Sequence, residues 1–398
     1  MERSAEKDAI VSGIGQSQVG RNLGRSGLDL TIEAALAAVT DSGLQMHDID
    51  GISAYPGGGI GGPGFSGPEI YEVQDTLGIE AGYHHSGAGG PGQFSAVINA
   101  VLAVAAGLAT NVLVYRTVTE ATAKKRAAGG GGGGGGSASP RGMSKASGPF
   151  AWLMPYGAYS AANWLAVYAT RYMHEFGLTK EQLGNVPISN RANAALNPDA
   201  IFREPLTAEE YMDARMISTP LGLYDCDVPC DGSTAVIVSH AGTAGDLASV
   251  PARFEAVGAA LRGRPSWDQW DDMTTMCAAD AAAQMWTRTD LNPSDVDAAQ
   301  LYDGFSILTL IWLEALGLCG KGEAGEFTAD GRINHDGDFP LNTSGGQLSA
   351  GRLHGYGLLH EAVLQLRGNA GERQIAGAEV MAVSAGGGPT CGCLLLTR

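Results

Sequence analysis

Positive charge is scarce in this chain: 25 Lys and Arg stand against 42 Asp and Glu, a net charge of −17. Attraction to phosphate needs the opposite excess, so neither nucleic acid nor an anionic membrane is expected as the main partner. No uninterrupted apolar run approaches the roughly 18 residues that cross a bilayer. The acidic, polar opening MERSAEKDA does not read as a signal peptide, and a soluble, cytoplasmic protein is expected. Cysteine is also sparse, with six residues: Cys226, Cys230, Cys277, Cys319, Cys391 and Cys393. In a large intracellular chain these are expected as buried thiols rather than disulfides. Cys226 and Cys230 share a turn-rich stretch, but no further Cys or His pair lies at zinc-site spacing, so no metal site is expected.

What the chain does have is apolar mass and a repeat. With 398 residues, 44% of them hydrophobic, it can bury a large core and hold two domains around one interface. Leu44 to Tyr55 reads LQMHDIDGISAY and Leu291 to Tyr302 reads LNPSDVDAAQLY, so Leu44, Asp48, Asp50 and Tyr55 fall on Leu291, Asp295, Asp297 and Tyr302. An alanine-rich helical run precedes each copy, Leu28–Gly43 and Ala278–Thr287. The shared unit is helix, acidic turn, strand. Downstream, Gly87–Gly92 (GAGGPG) and Ser344–Gly351 (SGGQLSAG) each open an amphipathic run, ending near Gly107 and Gly368. Short apolar strands then follow, Val112–Tyr115 and Val380–Ser384. The repeat predicts two similar α/β halves, residues 1–245 and 246–398, that share one site.

Ala9–Gly13 reads as the first strand. The glycines of the following GIGQSQVG, Gly13 to Gly20, are spaced wrongly for a dinucleotide fingerprint, so a tight turn near the shared site is expected. Eight consecutive glycines, Gly129–Gly136, flanked by Lys124, Lys125, Arg126 and Arg141, cannot pack a core and read as a mobile surface loop or an edge-lining insert. Tyr159 to Ala200 is largely helical, with a capping signal at Thr179 followed closely by Glu181 and Gln182 and a stop at Pro198. The region from about 120 to 220 has no counterpart in the second half. It is expected as an insertion subdomain, a common place to build substrate selectivity.

The duplicated βα frame, Asn190–Ala200 (NRANAALNPDA), Tyr224–Ser239 (YDCDVPCDGSTAVIVS), YDGFS at Tyr302–Ser306, GLCGKGEAGEF at Gly317–Phe327, PLNTSGG at Pro340–Gly346 and the terminal SAGGGPT together resemble the thiolase superfamily. Within it, the chain is similar to the lipid-transfer-protein branch related to sterol-carrier-protein-X thiolases. The resemblance covers nearly the whole chain. It implies a duplicated five-layered αβαβα fold with an insertion subdomain, usually assembled as a homodimer.

The departures from the family bear on the chemistry. The nucleophilic cysteine, which the family places at a helix N-terminus where its thiol pKa is lowered, falls at or beside Gly90, near Ser86 and Gln93. The second cysteine falls on Ser384 and the GHP-loop histidine on Arg352. Without sulfur, covalent acyl transfer is not expected. The glycine loops remain, and Gly89, Gly90, Gly345, Gly346 and Gly387 are expected to offer backbone N–H groups to a thioester oxygen becoming an enolate. Retro-aldol cleavage of a β-hydroxyacyl-CoA fits a thiolase frame without cysteine. The resemblance to the steroid side-chain-cleaving aldolases implies release of propionyl-CoA or acetyl-CoA from a sterol or bile-acid skeleton.

The resemblance to those aldolases implies a pair of catalytic tyrosines. Tyr302 matches the first; the second falls on or near Arg352, with Tyr356 four residues later, and His354 completes the expected catalytic set. Asp303 is expected to cap the helix Phe305–Leu316, and His84 with His85 to form a loop pair. No cofactor is expected beyond the coenzyme A of the substrate. The resemblance implies a small OB-fold, zinc-ribbon partner, and an exposed sheet edge beside Val112–Tyr115 is expected to pair with a second copy. A non-catalytic acyl-CoA or lipid-binding protein is the competing reading. The polar cluster Tyr302, His354 and Tyr356 favours the enzyme.

Overall fold

Two glycines set the first helix against the first strand. A computed structural model describes residues 4–57, 62–87, 92–129, 148, 150–262 and 270–398; Gly89, Gly90, Arg141 and the polyglycine run from residue 130 lie outside them. Strand β1, Ala9–Gln16, runs through the expected turn of the GIGQ segment rather than ending before it. A Cβ on Gly15 would lie 2.2 Å from the Ala34 carbonyl oxygen, and one on Gly13 2.3 Å from that of Ala38. These glycines therefore serve close helix–strand packing, not a turn. Helix α1, Gly27–Ser42, starts where the Ser26 side chain accepts the Asp29 N–H and stops at Gly43, whose φ of 79° is left-handed.

Strand β2 (Gly51–Ala54), helix α2 (Ile70–Leu77), strand β3 (Tyr83–Ser86), helix α3 (Ser95–Ala105), strand β4 (Asn111–Thr119) and helix α4 (Glu120–Gly129) follow. Two long helices come next, α5 (Ala161–Phe176) and α6 (Lys180–Ala195). The Thr179 hydroxyl caps α6 by accepting from Gln182 N, and the helix ends before Pro198. The remaining frame is β5 (Asp231–His240), β6 (Ala252–Leu261), α7 (Ala278–Trp286), β7 (Ala298–Gln300), α8 (Ser306–Ala315), α9 (Tyr356–Arg367), β8 (Val380–Gly387) and β9 (Thr390–Thr397).

Among the described residues these strands make a nine-stranded sheet in the order β3-β2-β4-β5-β1-β6-β9-β8-β7. The seam between its two parts is short: Ile10 pairs with Arg253 and Val11 with Ala252. Helices α1 and α2 cover the outer face of the first part, and α7, backed by α8, that of the second. Between the two parts lie α3, against β2, β4 and β5, and α9, against β8 and β7 on one side and β1 and β5 on the other. A helix in such a layer must be apolar nearly all round, as SAVINAVLAVA of α3 is. This is the expected five-layered αβαβα arrangement.

Two expectations about the first part need correcting. His84 and His85 belong to strand β3, not to a loop. Strand β4 lies between β2 and β5, so Val112–Tyr115 is interior and the edge belongs to β3. The alternating half-exposed pattern of Tyr83–Ser86 is that of an edge strand, too short and polar to stand out in the sequence.

Candidate active site

The two repeat copies end at one place. Tyr55 follows β2 and Tyr302 follows β7, at the carboxyl ends of two parallel strands, where open α/β sheets bind ligands. Tyr302 is 6% exposed. Its backbone N–H donates to Ser384 Oγ at 2.9 Å, and its hydroxyl accepts from Gln93 Nε2 at 3.3 Å. Ser384, which the resemblance places at the second cysteine position of thiolases, thus anchors the tyrosine backbone. Burial, reinforced by the nearby Asp227 charge, pushes the Tyr302 hydroxyl well above its ordinary pKa. It is therefore neutral at pH 7, suited to donating a proton rather than removing one.

Arg116, in the middle of β4, is fully buried. Its Nη1 donates to the carbonyls of Phe65 (2.7 Å) and Thr117 (3.1 Å), and the guanidinium lies over the rings of Phe65 and Tyr55. Its Nη2 donates to His354 Nδ1 at 2.9 Å. Guanidinium only donates, so Nδ1 must be the unprotonated nitrogen and the His354 proton sits on Nε2. Burial and the adjoining Arg116 charge hold the His354 pKa well below its usual range. The histidine occupies left-handed backbone space, φ 53°, with its ring edge-on to Phe65. Tyr356 opens α9 and packs its ring against Phe94. Its hydroxyl, Arg116 Nε and Gln93 Oε1 are buried without a hydrogen-bond partner among the described residues. Such orphaned polar atoms are uncommon in folded chains, and here they come from three different elements.

Arg352 is held by two carboxylates. Its Nη2 donates to both Glu120 oxygens at 2.7 Å, Nε to Glu120 at 3.0 Å, and Nη1 to Asp227 Oδ1 at 2.9 Å. The side chains of Arg352, Glu120 and Asp227 are 19%, 10% and 8% exposed. Two acids therefore neutralise the guanidinium, which does not face the site as a free cation.

The second glycine loop departs from expectation. Gly345 and Gly346 both have positive φ, 98° and 58°, and a Cβ on Gly346 would lie 2.0 Å from Asp303 Oδ2. The N–H groups of Gln347 and Leu348 donate to Asp303 at 2.9 and 3.2 Å, and that of Gly345 to the Asn342 carbonyl at 2.8 Å. The amides of Gln347 and Leu348 thus hold a carboxylate of the protein itself and that of Gly345 a backbone carbonyl, so these three are not free to cradle an enolate. Asp303 accordingly caps the short helix Gly346–Ser349 rather than α8, and it also accepts from Asn190 Nδ2 at 2.7 Å. Gly387 pairs with Thr390 in the β8–β9 hairpin. Cys226 and Cys230 point their thiols at the carbonyls of Gly222 and Arg352.

The sequence reading missed Arg116, Glu120, Asp227 and the approach of Tyr55 to the site. Arg116 had left one signal, a charge inside the apolar run VLVYRTV. Asp227 had left another, the acid-rich DCDVPCD.

Fold and site together define a thiolase-type architecture in which a buried phenol and a neutral histidine stand at the site. Residues 259–393 match the family described as thiolase C-terminal domain-like. The chain is 36% identical to a steroid side-chain-cleaving aldolase of Thermomonospora curvata, over 97% of each chain. It is 35% identical to a 17-hydroxy-3-oxo-4-pregnene-20-carboxyl-CoA lyase of Mycobacterium tuberculosis, over 97% of this chain and 98% of that one. The solved structure of an Ltp2-ChsH2(DUF35) aldolase superposes with a TM-score of 0.85 at 35% identity, over 98% of both chains. The chain belongs to the thiolase superfamily, in the branch of the steroid side-chain-cleaving aldolases.

Proposed function

We propose that the protein is a carbon–carbon lyase that cleaves the side chain of a β-hydroxyacyl-CoA by a retro-aldol reaction, giving a ketone and a shortened acyl-CoA. The 17-hydroxy steroid thioester named for the Mycobacterium tuberculosis relative sets the substrate class, and propionyl-CoA is the expected product. One observation carries this reading: at the second sulfur position of thiolases stands Ser384, whose hydroxyl anchors the backbone of a buried, neutral tyrosine. Tyr302 serves as proton donor to the developing enolate. His354, neutral and carrying its proton on Nε2, is the hydrogen-bond donor for the thioester oxygen, with Arg116 fixing its tautomer. Tyr356 supplies a hydroxyl to the same pocket.

The purified protein, given a 17-hydroxy steroid side-chain thioester, should release propionyl-CoA and the 17-ketone, both read by mass spectrometry. No acyl group should become attached to the chain. Intact mass after incubation with acetoacetyl-CoA should match the unmodified protein; a stable adduct on any cysteine would restore a transferase.

We further propose a homodimer joined through the β3 edge, and a small OB-fold, zinc-ribbon partner of the DUF35 kind, in line with the complex named for the structural relative. Sedimentation should give a dimer or larger species at micromolar concentration. Full turnover by a clean monomer without a partner would refute both.

A further inference from the structure

We propose that Asp227 receives the proton of the substrate β-hydroxyl, with Arg352 and Glu120 as its positioning pair; this rests on the retro-aldol reading above. The chain knits Asp227 between the two segments that carry the site. Its N–H donates to the Gly304 carbonyl at 3.2 Å, two residues beyond Tyr302. The neighbouring Val228 N–H donates to the Gln347 carbonyl at 3.0 Å, and Arg352 N–H to the Val228 carbonyl at 2.9 Å. Asp227 is thus fixed beside both Tyr302 and Arg352 by backbone bonds alone.

The ion cluster leaves this carboxylate half used. Arg352 directs Nε and Nη2 to Glu120 and only Nη1 to Asp227. Asp227 Oδ2 accepts no hydrogen bond among the described residues, although the side chain is only 8% exposed. A carboxylate oxygen with an open lone pair, on a side chain so little exposed, is a proton acceptor in waiting. The groups that bear on Asp227 are Arg352, Glu120 and Lys124, with Tyr302, Asp303, Cys226 and Cys230 close enough to feel its charge. Burial raises its pKa, the Arg352 charge opposes, and Glu120 adds to the rise, leaving it at about 6. Tyr302 cannot fill the same role, because burial keeps it neutral.

The proton balance closes. Asp227 takes the β-hydroxyl proton, the C–O bond becomes a carbonyl as the Cα–Cβ bond breaks, and that electron pair passes to the thioester as an enolate. Tyr302 protonates Cα, and the proton on Asp227 returns to the tyrosinate. No oxidant or further reactant is consumed.

The test is the pH profile of kcat/KM for the parent, Asp227→Asn and Asp227→Glu, with folding checked by circular dichroism. In Asp227→Asn the side-chain amide oxygen can still accept from Arg352, so the fold should hold. The parent profile should rise with pH through about 6 to a plateau, because only the ionised carboxylate accepts a proton. Asp227→Asn should lower the plateau by about 10²-fold or more and abolish the rise, while Asp227→Glu should retain a rise with partial activity. Infrared difference spectra between pH 5 and 8 (about one unit below and two above the expected midpoint) should show a carboxyl band that Asp227→Asn removes, a readout needing no substrate. If the parent cleaves and a folded Asp227→Asn keeps its rate within about threefold, or keeps the rise, the Asp227 assignment fails alone. A parent that cleaves no β-hydroxyacyl-CoA overturns the retro-aldol reading and this inference with it.

Discussion

Tyr302→Phe is expected to slow cleavage by about 10²–10⁴ while leaving the unfolding midpoint nearly unchanged. The ring stays in place, and the backbone bond from Tyr302 N to Ser384 does not depend on the hydroxyl. What is lost is the acceptor of Gln93 Nε2, a long contact at 3.3 Å. A neutral–neutral bond of that length contributes at most about 1 kcal/mol to stability. The effect should fall on kcat and kcat/KM alike, since a proton donor acts in the transition state rather than in ground-state binding. A variant that keeps near-parental turnover would make Tyr302 a structural aromatic and relocate the acid.

Arg352→Ala is expected to have the largest effect on stability, on the order of 3 kcal/mol at pH 8. The substitution strips the cation from two carboxylates whose side chains are 10% and 8% exposed, leaving two mostly buried negative charges facing each other. The pH dependence follows from the direction of the resulting shift. A carboxyl whose folded pKa lies above its unfolded value binds a proton more readily when folded, so its stabilising contribution is present at low pH and is lost as pH rises. Asp227 already behaves this way in the parent, at about 6, and removal of Arg352 pushes it further in the same direction. Urea unfolding should therefore show a penalty that shrinks between pH 8 and pH 5 (values on either side of that carboxyl's titration), and Glu120→Gln in the Arg352→Ala background should recover part of it. Equal midpoints for parent and Arg352→Ala at pH 8 would show that the cluster does not hold this corner of the fold.

Much of the frame was legible because it depends on local pattern. The repeat fixes where β2 and β7 end, and so puts Tyr302 at a strand terminus opening on the site. Thr179 and Gly43 mark helix ends by the chemistry of their own turns. The cluster of Arg352, Glu120 and Asp227 was not legible, because its members come from a loop before α9, the start of α4 and the segment before β5. Nothing in one stretch of sequence tells that these three meet. Arg352 alone reads as a member of the catalytic set, and only the positions of the two acids reveal that its charge is neutralised. The second glycine loop misled for a similar reason. A glycine pair before a helix signals available N–H groups, but Asp303 already takes those of Gln347 and Leu348.

That Asp303 junction also limits how the protein can be re-engineered. Asn190, on helix α6 of the region without a repeat counterpart, donates to the carboxylate that organises the Gly345–Leu348 turn. Exchanging this region for that of a relative to alter substrate choice would unseat the turn unless the donor at position 190 travels with it. This region and the catalytic frame are joined at that contact, and a chimera should be cut outside helix α6 rather than through it.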